Sequence, residues 1–420
     1  MPLAQTFVRP AYHERMAGHN RYQLPTPQAY QAQAVEIIPD IPEDLLLAED
    51  ALVTESDRTR LYTTEDGDPM SGYEYGSRAR IGILQNEKAA KRLGVVGVDK
   101  LDPFAIDVLR AHQAMGCVVI RSMLTDYSDL LNQANGSQLW LKQEADQAIG
   151  SFKIRGAFNK MRLIPADQLK YGVIAASAGN HAQGVAMAAA LLGTKATIIM
   201  PQSTPAVKIM GVEKYGATVF LIGNTYDEAC QAMEQILLQN PRMTPIPAFD
   251  DNDIIVGQAT VAAELLQQKS DLSHIVVSSG GGGMLAGISR YVKTIRPSVK
   301  VCGVEPVNCD AMTRSLAASK RVSLDYVDGF ADGLAVKKVG RLTFDLCSEY
   351  VGVENMHTVS KQAIMLAMKD LYELGLVTEP AGATALAGAR ELANVSVGNF
   401  AVVRSGRNVD PGKLKECLAA

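Results

Sequence analysis

The sequence lacks paired cysteines, long apolar runs and an excess of basic residues, and each absence excludes a class of protein. Its six cysteines are scattered without a Cys-x-x-Cys spacing, which disfavours a zinc site or a redox pair and fits a reducing compartment. The net charge of -4 argues against nucleic acid as the main partner, because binding phosphate backbones needs a concentrated basic face. The stretch closest to a membrane span, residues 182–200, is interrupted by Lys195, whereas a span needs about 20 apolar residues. We therefore expect a soluble, cytoplasmic protein that binds neither nucleic acid nor a membrane.

The first 100 residues differ in character from the rest of the 420-residue chain. Residues 36–74 contain twelve acidic residues against two arginines, with proline and glycine between them and no periodicity. This composition predicts a solvated, disordered extension or a lid. Residues 1–35 carry one acid, Glu14, and several arginines, as transit peptides do, but they contain no serine. A loosely docked arm is the preferred interpretation, organelle targeting stays open, and the main boundary is placed near residue 100.

Beyond residue 100, short apolar strand patterns alternate with helical patterns. Strands are predicted at 172–177, 196–200, 218–222, 274–278, 300–304 and 400–403. Helices are predicted up to residue 192 and at 207–215, 226–238, 257–268, 284–295, 361–374 and 381–393. The alternation indicates an α/β protein with parallel sheets covered on both faces, in which ligands bind at the carboxyl ends of the strands.

One lysine stands out in residues 144–157, EADQAIGSFKIRGA. Lys153 follows a tight Gly-Ser-Phe entry, and a partly desolvated lysine near other cations has a lowered pKa and a nucleophilic amine. It is therefore a candidate Schiff-base former. Taken alone, the stretch is more typical of an exposed helix start, and only the two motifs that follow favour the Schiff-base interpretation.

Four consecutive glycines, Gly280, Gly281, Gly282 and Gly283, lie between an apolar strand pattern and a predicted helix. Backbone N–H groups there can turn toward one anion, and the helix N-terminus adds partial positive charge, so a phosphate monoester is the natural ligand. The alternative, a flexible linker, does not fit a run enclosed by strand and helix.

Residues 177–181, Ser-Ala-Gly-Asn-His, precede another predicted helix. They offer a hydroxyl, backbone donors, a carboxamide and an imidazole within one turn, which suits an amino-acid carboxylate. The alternative is a helix cap with a surface histidine. Near the C-terminus, Ser405 follows the last strand and could offer a neutral hydroxyl to a heteroaromatic nitrogen, although a turn explains it as well.

Five stretches, in this order, resemble the fold-type II pyridoxal-phosphate enzymes and, among them, the threonine dehydratases: GSFKIRGA, SAGNHAQGVA, SGGGGMLAG, FADGLAV and EPAGATALAG. The resemblance covers roughly residues 100–420. It implies a tryptophan synthase β-like α/β fold with two doubly wound parallel-sheet domains and the site between them. The implied catalytic region is 101–420, with 172–250 as the smaller, mobile domain and 101–171 plus 251–420 as the larger one.

By this resemblance, Lys153 holds pyridoxal 5'-phosphate as a Schiff base and is the catalytic base. The implied cofactor contacts are Phe152 against the ring, Asn180 at the ring hydroxyl, Gly280, Gly281, Gly282, Gly283 and Met284 at the phosphate, and Ser405 at the pyridine nitrogen. The implied substrate contacts are Ser177, Gly179, Asn180 and His181. Glu379 is a less definite ring neighbour, because a carboxylate at a helix start explains it nearly as well.

The implied reaction is the β-elimination of threonine, serine or both. The aminoacrylate or aminocrotonate that is released hydrolyses to a 2-oxo acid and ammonia, as in isoleucine biosynthesis. A homo-oligomer is expected by the resemblance alone. Two alternatives stay open: a lyase or β-replacement enzyme for a modified amino acid in specialised metabolism, and a protein that binds the cofactor without turnover.

The sequence departs from its relatives at several positions. Racemases of the family carry a serine where this chain has Ala178, so racemisation should be slow or absent. They also bind a divalent ion through two acids, of which this chain keeps Glu305 but has Ala311 at the second place, so no metal site is expected. Arg407 replaces a glycine or alanine beside Ser405, which could alter substrate choice. The chain stops soon after Asn408 without a regulatory domain, so feedback by isoleucine is not expected.

Overall fold

The structure is a computed structural model, and it describes residues 102–131 and 135–419. The predicted 1–100 extension, with its acidic stretch, lies outside the described residues. Within them, no helix is long and apolar enough to cross a membrane. All six cysteines are free.

The described residues form strands and helices that we number in chain order. The strands are β1 Leu124–Asp126, β2 Gln138–Lys142, β3 Val173–Ala176, β4 Ala196–Met200, β5 Thr218–Leu221, β6 Thr244–Pro245, β7 His274–Ser278, β8 Lys300–Pro306, β9 Met356–Val359 and β10 Asn399–Val403. The helices are α1 Pro103–Ala114, α2 Lys153–Arg162, α3 Ala166–Leu169, α4 Asn180–Leu192, α5 Ala206–Glu213, α6 Tyr226–Gln239, α7 Asn252–Gln268, α8 Gly283–Ile295, α9 Ala311–Ala317, α10 Arg341–Tyr350, α11 Lys361–Glu373, α12 Pro380–Val395 and α13 Pro411–Leu418.

These strands build two sheets. The larger has six strands in the order β1-β2-β10-β7-β8-β9 and is parallel except for the edge strand β1. The smaller has four parallel strands in the order β5-β4-β3-β6. The α/β class with parallel sheets is thus confirmed. The strands of the smaller sheet all fall within 172–250, although the domain boundaries themselves stay a prediction.

Helices lie on both faces of each sheet. Successive strand residues point to opposite sides, so a strand of apolar residues presents an apolar surface to the helices on each face. In β7, Ile275 and Val277 belong to one hydrophobic cluster while Val276, between them, belongs to another. The first cluster continues into the smaller sheet through Val173 and Ala175. Helices α2, α4, α7 and α8 pack in this shared interior, so the two sheets are joined by one core.

Most predicted elements lie where the sequence places them, with one instructive shift at α7. The helix begins at Asn252 rather than at residue 257, because the Asp251 side chain accepts hydrogen bonds from the N–H groups of Asp253 and Ile254. The sequence pattern did not predict β1, β2, β6, β9, α1, α3, α9, α10 or α13, several of which are short or lie at sheet edges, and it offered the start of α2 only as an alternative interpretation of the stretch around Lys153.

Candidate active site

The residues that were singled out in the sequence lie close together in the structure. They belong to three loops at the carboxyl ends of parallel strands and to the start of α2. The turn 177–181 follows β3, the glycines follow β7 and Ser405 follows β10, as expected for ligand sites of parallel sheets. Lys153 is the first residue of α2. A β-bridge between Ser151 and Gly406 holds the start of α2 against the loop after β10.

Lys153 lies in a low-polarity environment that favours the neutral amine. Its Nζ donates a 2.8 Å hydrogen bond to the carbonyl oxygen of Ala248 and stands 5.3 Å from the centre of the Phe152 ring. Burial lowers the pKa of Lys153 to about 8, although attraction by Glu379 opposes the shift. The amine therefore loses its proton far more readily than an exposed lysine does, although most of it is still protonated at pH 7.

Asn180 joins the turn before α4 to two residues of the larger sheet's loops. Its Nδ2 donates to Glu379 Oε1 at 2.6 Å, and its Oδ1 accepts from Asn408 Nδ2 at 2.6 Å. The second hydrogen of Nδ2 stays available for a ligand. Earlier in the turn, Ser177 Oγ accepts a 3.3 Å hydrogen bond from the N–H of Gly179, which precedes the first helical residue.

His181 is buried, so the alternative of a surface histidine is wrong. Its Nε2 lies 2.8 Å from the carbonyl oxygen of Ile246, and a carbonyl only accepts, so Nε2 carries the proton and Nδ1 is left as an acceptor. Burial, with repulsion by Lys153, lowers the pKa of His181 to about 3. The imidazole is neutral throughout the physiological range.

The glycine loop is a packed turn rather than a flexible linker. Gly282, just before α8, has φ +91°, and no side chain caps the helix there. The first N–H groups of α8 have no intrahelical acceptor, as at every helix start. A Cβ on Gly281 would come within 2.2 Å of the Phe249 ring, and one on Gly282 within 2.5 Å of Met312. Only glycine lets the backbone approach an anion here. Gly280 and Gly283 are similarly confined, and Met284 follows buried in the first turn.

Ser405 is buried at the end of the loop that follows β10. Its Oγ lies 3.4 Å from the carbonyl oxygen of Ala381, near the start of α12. Its backbone oxygen accepts from the N–H of Phe152 at 3.1 Å, which ties this serine to the residue before Lys153.

Glu379, for which the resemblance implied a less definite position beside the cofactor ring, accepts the hydrogen bond from Asn180. It is buried directly before α12, and a Cβ on Gly406 would come within 2.1 Å of its Oε1. Burial, with repulsion by Asp332, raises the pKa of Glu379 to about 7. Asp332 in turn pairs with Lys208 of α5 at 2.6 Å.

Residues 246–248 were not singled out in the sequence, yet they accept hydrogen bonds from two site residues. The carbonyl of Ile246 binds His181 and the carbonyl of Ala248 binds Lys153. The segment leaves the smaller sheet after β6 and leads to α7, so it connects the two sheets. The orientations of the imidazole and of the amine therefore depend on the same three residues.

The next residues of this segment support the glycine loop. Phe249 packs against Gly281 and Gly283, and Asp250 accepts hydrogen bonds from the N–H groups at the start of α10, including Thr343 at 3.3 Å. Thr343 Oγ1 donates in turn to the carbonyl oxygen of Gly281 at 2.7 Å. The only sequence signal for this role was Asp251, a typical helix cap.

Glu305 is a satisfied carboxylate at the end of β8. It accepts from the N–H groups of Met312 and Thr313 at 2.9 Å each and from Thr313 Oγ1 at 2.6 Å. Within the described residues, no group of three or more histidine, cysteine or acidic side chains is arranged to hold a metal ion. Glu305 is thus explained by capping α9.

The arrangement fits pyridoxal phosphate. The lysine amine suits the aldehyde, and the glycine loop at the start of α8 suits the phosphate. Two serine hydroxyls, Ser151 Oγ beside Lys153 and Ser279 Oγ beside Gly280, are buried without a hydrogen-bond partner among the described residues. Buried hydroxyls are normally paired, so these two indicate a polar ligand at both places.

Comparisons with known proteins agree with this geometry. The family described as pyridoxal-phosphate dependent enzyme matches residues 124–406. Threonine dehydratase 1 biosynthetic, chloroplastic, from Solanum lycopersicum is 45% identical over 290 residues, 68% of this chain and 47% of that protein. L-threonine ammonia-lyase from Thermotoga maritima is 40% identical over 313 residues, 74% of this chain and 77% of that protein. The chain spans about half the length of the first curated relatives it matches.

Solved structures give the same picture. The processed form of threonine deaminase isoform 2 from Solanum lycopersicum superposes with a TM-score of 0.72 at 38% identity, covering 77% of this chain and 89% of that one. Maize serine racemase superposes with a TM-score of 0.70 at 31% identity, covering 75% of this chain and 96% of that one.

Proposed function

The chain belongs to the pyridoxal-phosphate dependent enzymes of fold type II, and we propose that it is an ammonia-lyase that eliminates the β-hydroxyl of threonine, serine or both. The products would be a 2-oxo acid and ammonia. The observation that carries the proposal is the placement of the buried Lys153 amine and the buried His181 of the helix-start turn on neighbouring carbonyl groups of one segment, Ala248 and Ile246. An amine base and a carboxylate-binding turn are the two parts that such an elimination requires of the protein.

The residues present would hold the cofactor in four places. Lys153 would bind its aldehyde, the loop 280–283 with Met284 its phosphate, Asn180 its ring hydroxyl, and Ser405 its pyridine nitrogen, with Phe152 beside the ring. When bound, the cofactor supplies an electron sink for the substrate's α-carbon. The remaining chemistry is positioning and proton transfer by the chain's own groups.

The turn 177–181 is suited to the substrate carboxylate. The turn leads into the start of α4, where no side chain caps the helix and the helix end favours negative charge. Ser177 and Gly179 begin this turn. His181 stays neutral there because burial disfavours its charged form and because protonation would place a second cation near Lys153.

Lys153 Nζ is the proposed base for the Cα proton. Its carbonyl partner, Ala248, accepts one N–H, which restricts the lone pair of the neutral amine to the two remaining directions at the nitrogen. Ala178 places a methyl group in the turn, which can neither give nor take a proton, and this favours elimination over racemisation. Ser405 offers only a neutral hydroxyl, which does not protonate a pyridine nitrogen as a carboxylic acid would.

Two measurements test the proposal. Borohydride reduction of the holoenzyme and peptide mapping should place the cofactor on Lys153, and threonine should then yield ammonia and 2-oxobutanoate in equal amounts. Lys153→Ala should abolish both results, whereas Lys170→Ala, at an exposed lysine, should change neither. A label on another lysine, or binding without release of ammonia from any hydroxy amino acid, would refute the assignment.

A role in isoleucine biosynthesis follows as a proposal from the relatives named biosynthetic threonine dehydratases. Homo-oligomer formation and a cytoplasmic location stay predictions. The names of the plant relatives place those proteins in chloroplasts. A second candidate function, action on a modified amino acid, is favoured by the position of Arg407.

A further inference from the structure

Arg407 is held beside the proposed cofactor and substrate contacts by its own backbone. Its N–H donates to the carbonyl oxygen of Gly150 at 2.9 Å, and its Cγ lies 3.2 Å from the place where a Cβ on Gly150 would stand. Ser405 precedes it by two residues, and the next residue, Asn408, binds Asn180. The arginine therefore lies between the entry to Lys153 and the turn before α4.

The guanidinium of Arg407 is incompletely neutralised. Its nearest carboxylate, Asp146, is 4.0 Å away, and the same oxygen accepts a 3.1 Å hydrogen bond from Arg404. The other acceptors of Arg404 are neutral: Gln143, Thr378 and a main-chain carbonyl. The Arg407 side chain is 47% exposed, and within the described residues its guanidinium forms no hydrogen bond. Two arginines thus share one exposed carboxylate.

A third cation approaches from the smaller sheet. Lys214 directly follows α5, and burial, then repulsion by Arg407, lower the pKa of Lys214. Its Nζ lies 4.8 Å from the centre of the Tyr215 ring, and none of the ion pairs in the described part of the chain includes it. Three cations, Arg404, Arg407 and Lys214, therefore lie near one another, and the only carboxylate that pairs with any of them in the described part of the chain is Asp146.

We propose that Arg407 is a specificity-determining residue that binds a second carboxylate, on the β-carbon of the substrate. The preferred substrates would be β-hydroxy amino acids with an acidic side chain, for which 3-hydroxyaspartate is the simplest probe. A guanidinium matches a carboxylate with two parallel N–H donors, whereas the methyl group of threonine offers no acceptor. This inference rests on the proposed function and specifies its substrate class.

The reaction with this substrate is balanced without an added oxidant or reductant. Lys153 takes the proton from Cα, the Cβ–O bond breaks with its electron pair on oxygen, and that oxygen leaves as water with one added proton. The released enamine takes the imine form, one water adds to it, and ammonia departs. The products are oxaloacetate and ammonia, and the water that is lost equals the water that is added.

Binding can be tested apart from turnover with L-aspartate and L-asparagine, which have the same shape and differ by one charge. Calorimetry on the holoenzyme should give aspartate an affinity on the order of tenfold higher, the usual effect of a charged hydrogen bond. Arg407→Gly should bring the ratio close to one, Arg407→Lys should keep part of it, and Asp146→Asn should raise it by removing the competing carboxylate. Arg314→Ala is the control, because Arg314 is an exposed arginine that pairs with Asp310 outside the site.

Turnover separates this inference from the proposed function. The ratio of kcat/KM for 3-hydroxyaspartate over threonine should exceed one and fall on the order of tenfold in Arg407→Gly. If threonine yields ammonia but neither ratio depends on Arg407, the inference is wrong and the proposed function stands. If no hydroxy amino acid yields ammonia, the proposed function fails, and the aspartate to asparagine ratio still decides whether Arg407 binds a second carboxylate.

Discussion

Replacing Phe249 by alanine would test whether the segment 246–251 supports the phosphate end of the site. The Phe249 ring occupies the space in which a Cβ on Gly281 would stand, and its own Cβ would be 3.0 Å from a Cβ on Gly283. The same segment binds Lys153 through Ala248. We therefore expect Phe249 to act on the glycine loop more than on the lysine.

The magnitude follows from the burial of the ring. Truncating a fully buried phenylalanine to alanine costs about 3–5 kcal/mol, and Phe249 is half-buried, so we expect a loss of about 2 kcal/mol in the free energy of unfolding. Without the ring the loop must be ordered by the ligand itself. If about 1.4 kcal/mol of the loss appears in ligand binding, the affinity for a phosphate ester falls about tenfold.

The assay compares pyridoxal 5'-phosphate with pyridoxal, which keeps the aldehyde but lacks the phosphate. Absorbance titrations of the apo protein should show about tenfold weaker binding of the phosphate ester by Phe249→Ala and a change of about twofold or less for pyridoxal. Phe249→Leu, which keeps apolar volume against Gly281, should behave more like the original chain. Equal losses for both ligands would mean that the ring acts through Lys153 or through the whole fold, and the reasoning would be wrong.

Three further predictions concern the ionisable groups. Glu379→Gln should flatten the pH dependence of apo-protein stability. The pKa of Glu379 is raised from 4.5 to about 7, so the stability that this carboxyl group contributes is fully present below pH 4.5 and is lost as the pH rises to 7. The loss should reach up to about 3 kcal/mol in the free energy of unfolding measured by denaturant melts. A pH profile that is the same in Glu379→Gln would contradict this. Glu264→Gln should lower the free energy of unfolding by about 3–5 kcal/mol, because it leaves the buried Arg155 without one of its two carboxylates. The control is Glu416→Gln, in the exposed pair with Lys361, which should cost about 1 kcal/mol or less in the same measurement. Lys153→Met should stabilise the apo protein at pH 6 by up to about 3 kcal/mol, because the pKa of Lys153 is about 8 in the folded state and 10.5 in the unfolded state. The gain in stability should disappear above pH 10.5, where the lysine is neutral in both states. Equal gains at both pH values would refute the burial argument.

Local patterns sufficed to predict the turns of the site and the three strands that lead into them, β3, β7 and β10. The glycine run and the turn 177–181 are each continuous in sequence, so their chemistry could be read before their positions were known. A positive φ at Gly282 and the helix start at Asn180 are local properties as well. The α/β class followed from alternating periodicity in the same way.

The contacts that assemble the site are not local, which is why the sequence left them open. Asn180 is separated from Glu379 by 199 positions and from Asn408 by 228. No periodicity links such residues, so the sequence could not decide whether Glu379 is a neighbour of the cofactor ring or a helix-start carboxylate, and it did not predict the contact with Asn180. The segment 246–251 was missed for a related reason. It contacts Lys153 and His181 through main-chain carbonyl groups, and because every residue has a carbonyl group, no residue type marks the segment in the sequence.

Arg155 shows how the fold keeps the amine of Lys153 in the buried position that lowers its pKa. Lys153 is the first residue of α2, where the partial positive charge of the helix end adds to burial in disfavouring an ammonium. Two residues on, the fully buried Arg155 binds Glu144 from the preceding loop and Glu264 from α7. These two carboxylates hold the start of α2 against both neighbours, so the helix cannot easily rotate Lys153 toward solvent. The Lys153 amine would be better solvated in water. Moving the start of α2 to expose it would break the buried ion pairs of Arg155 with Glu144 and Glu264, so the amine stays buried.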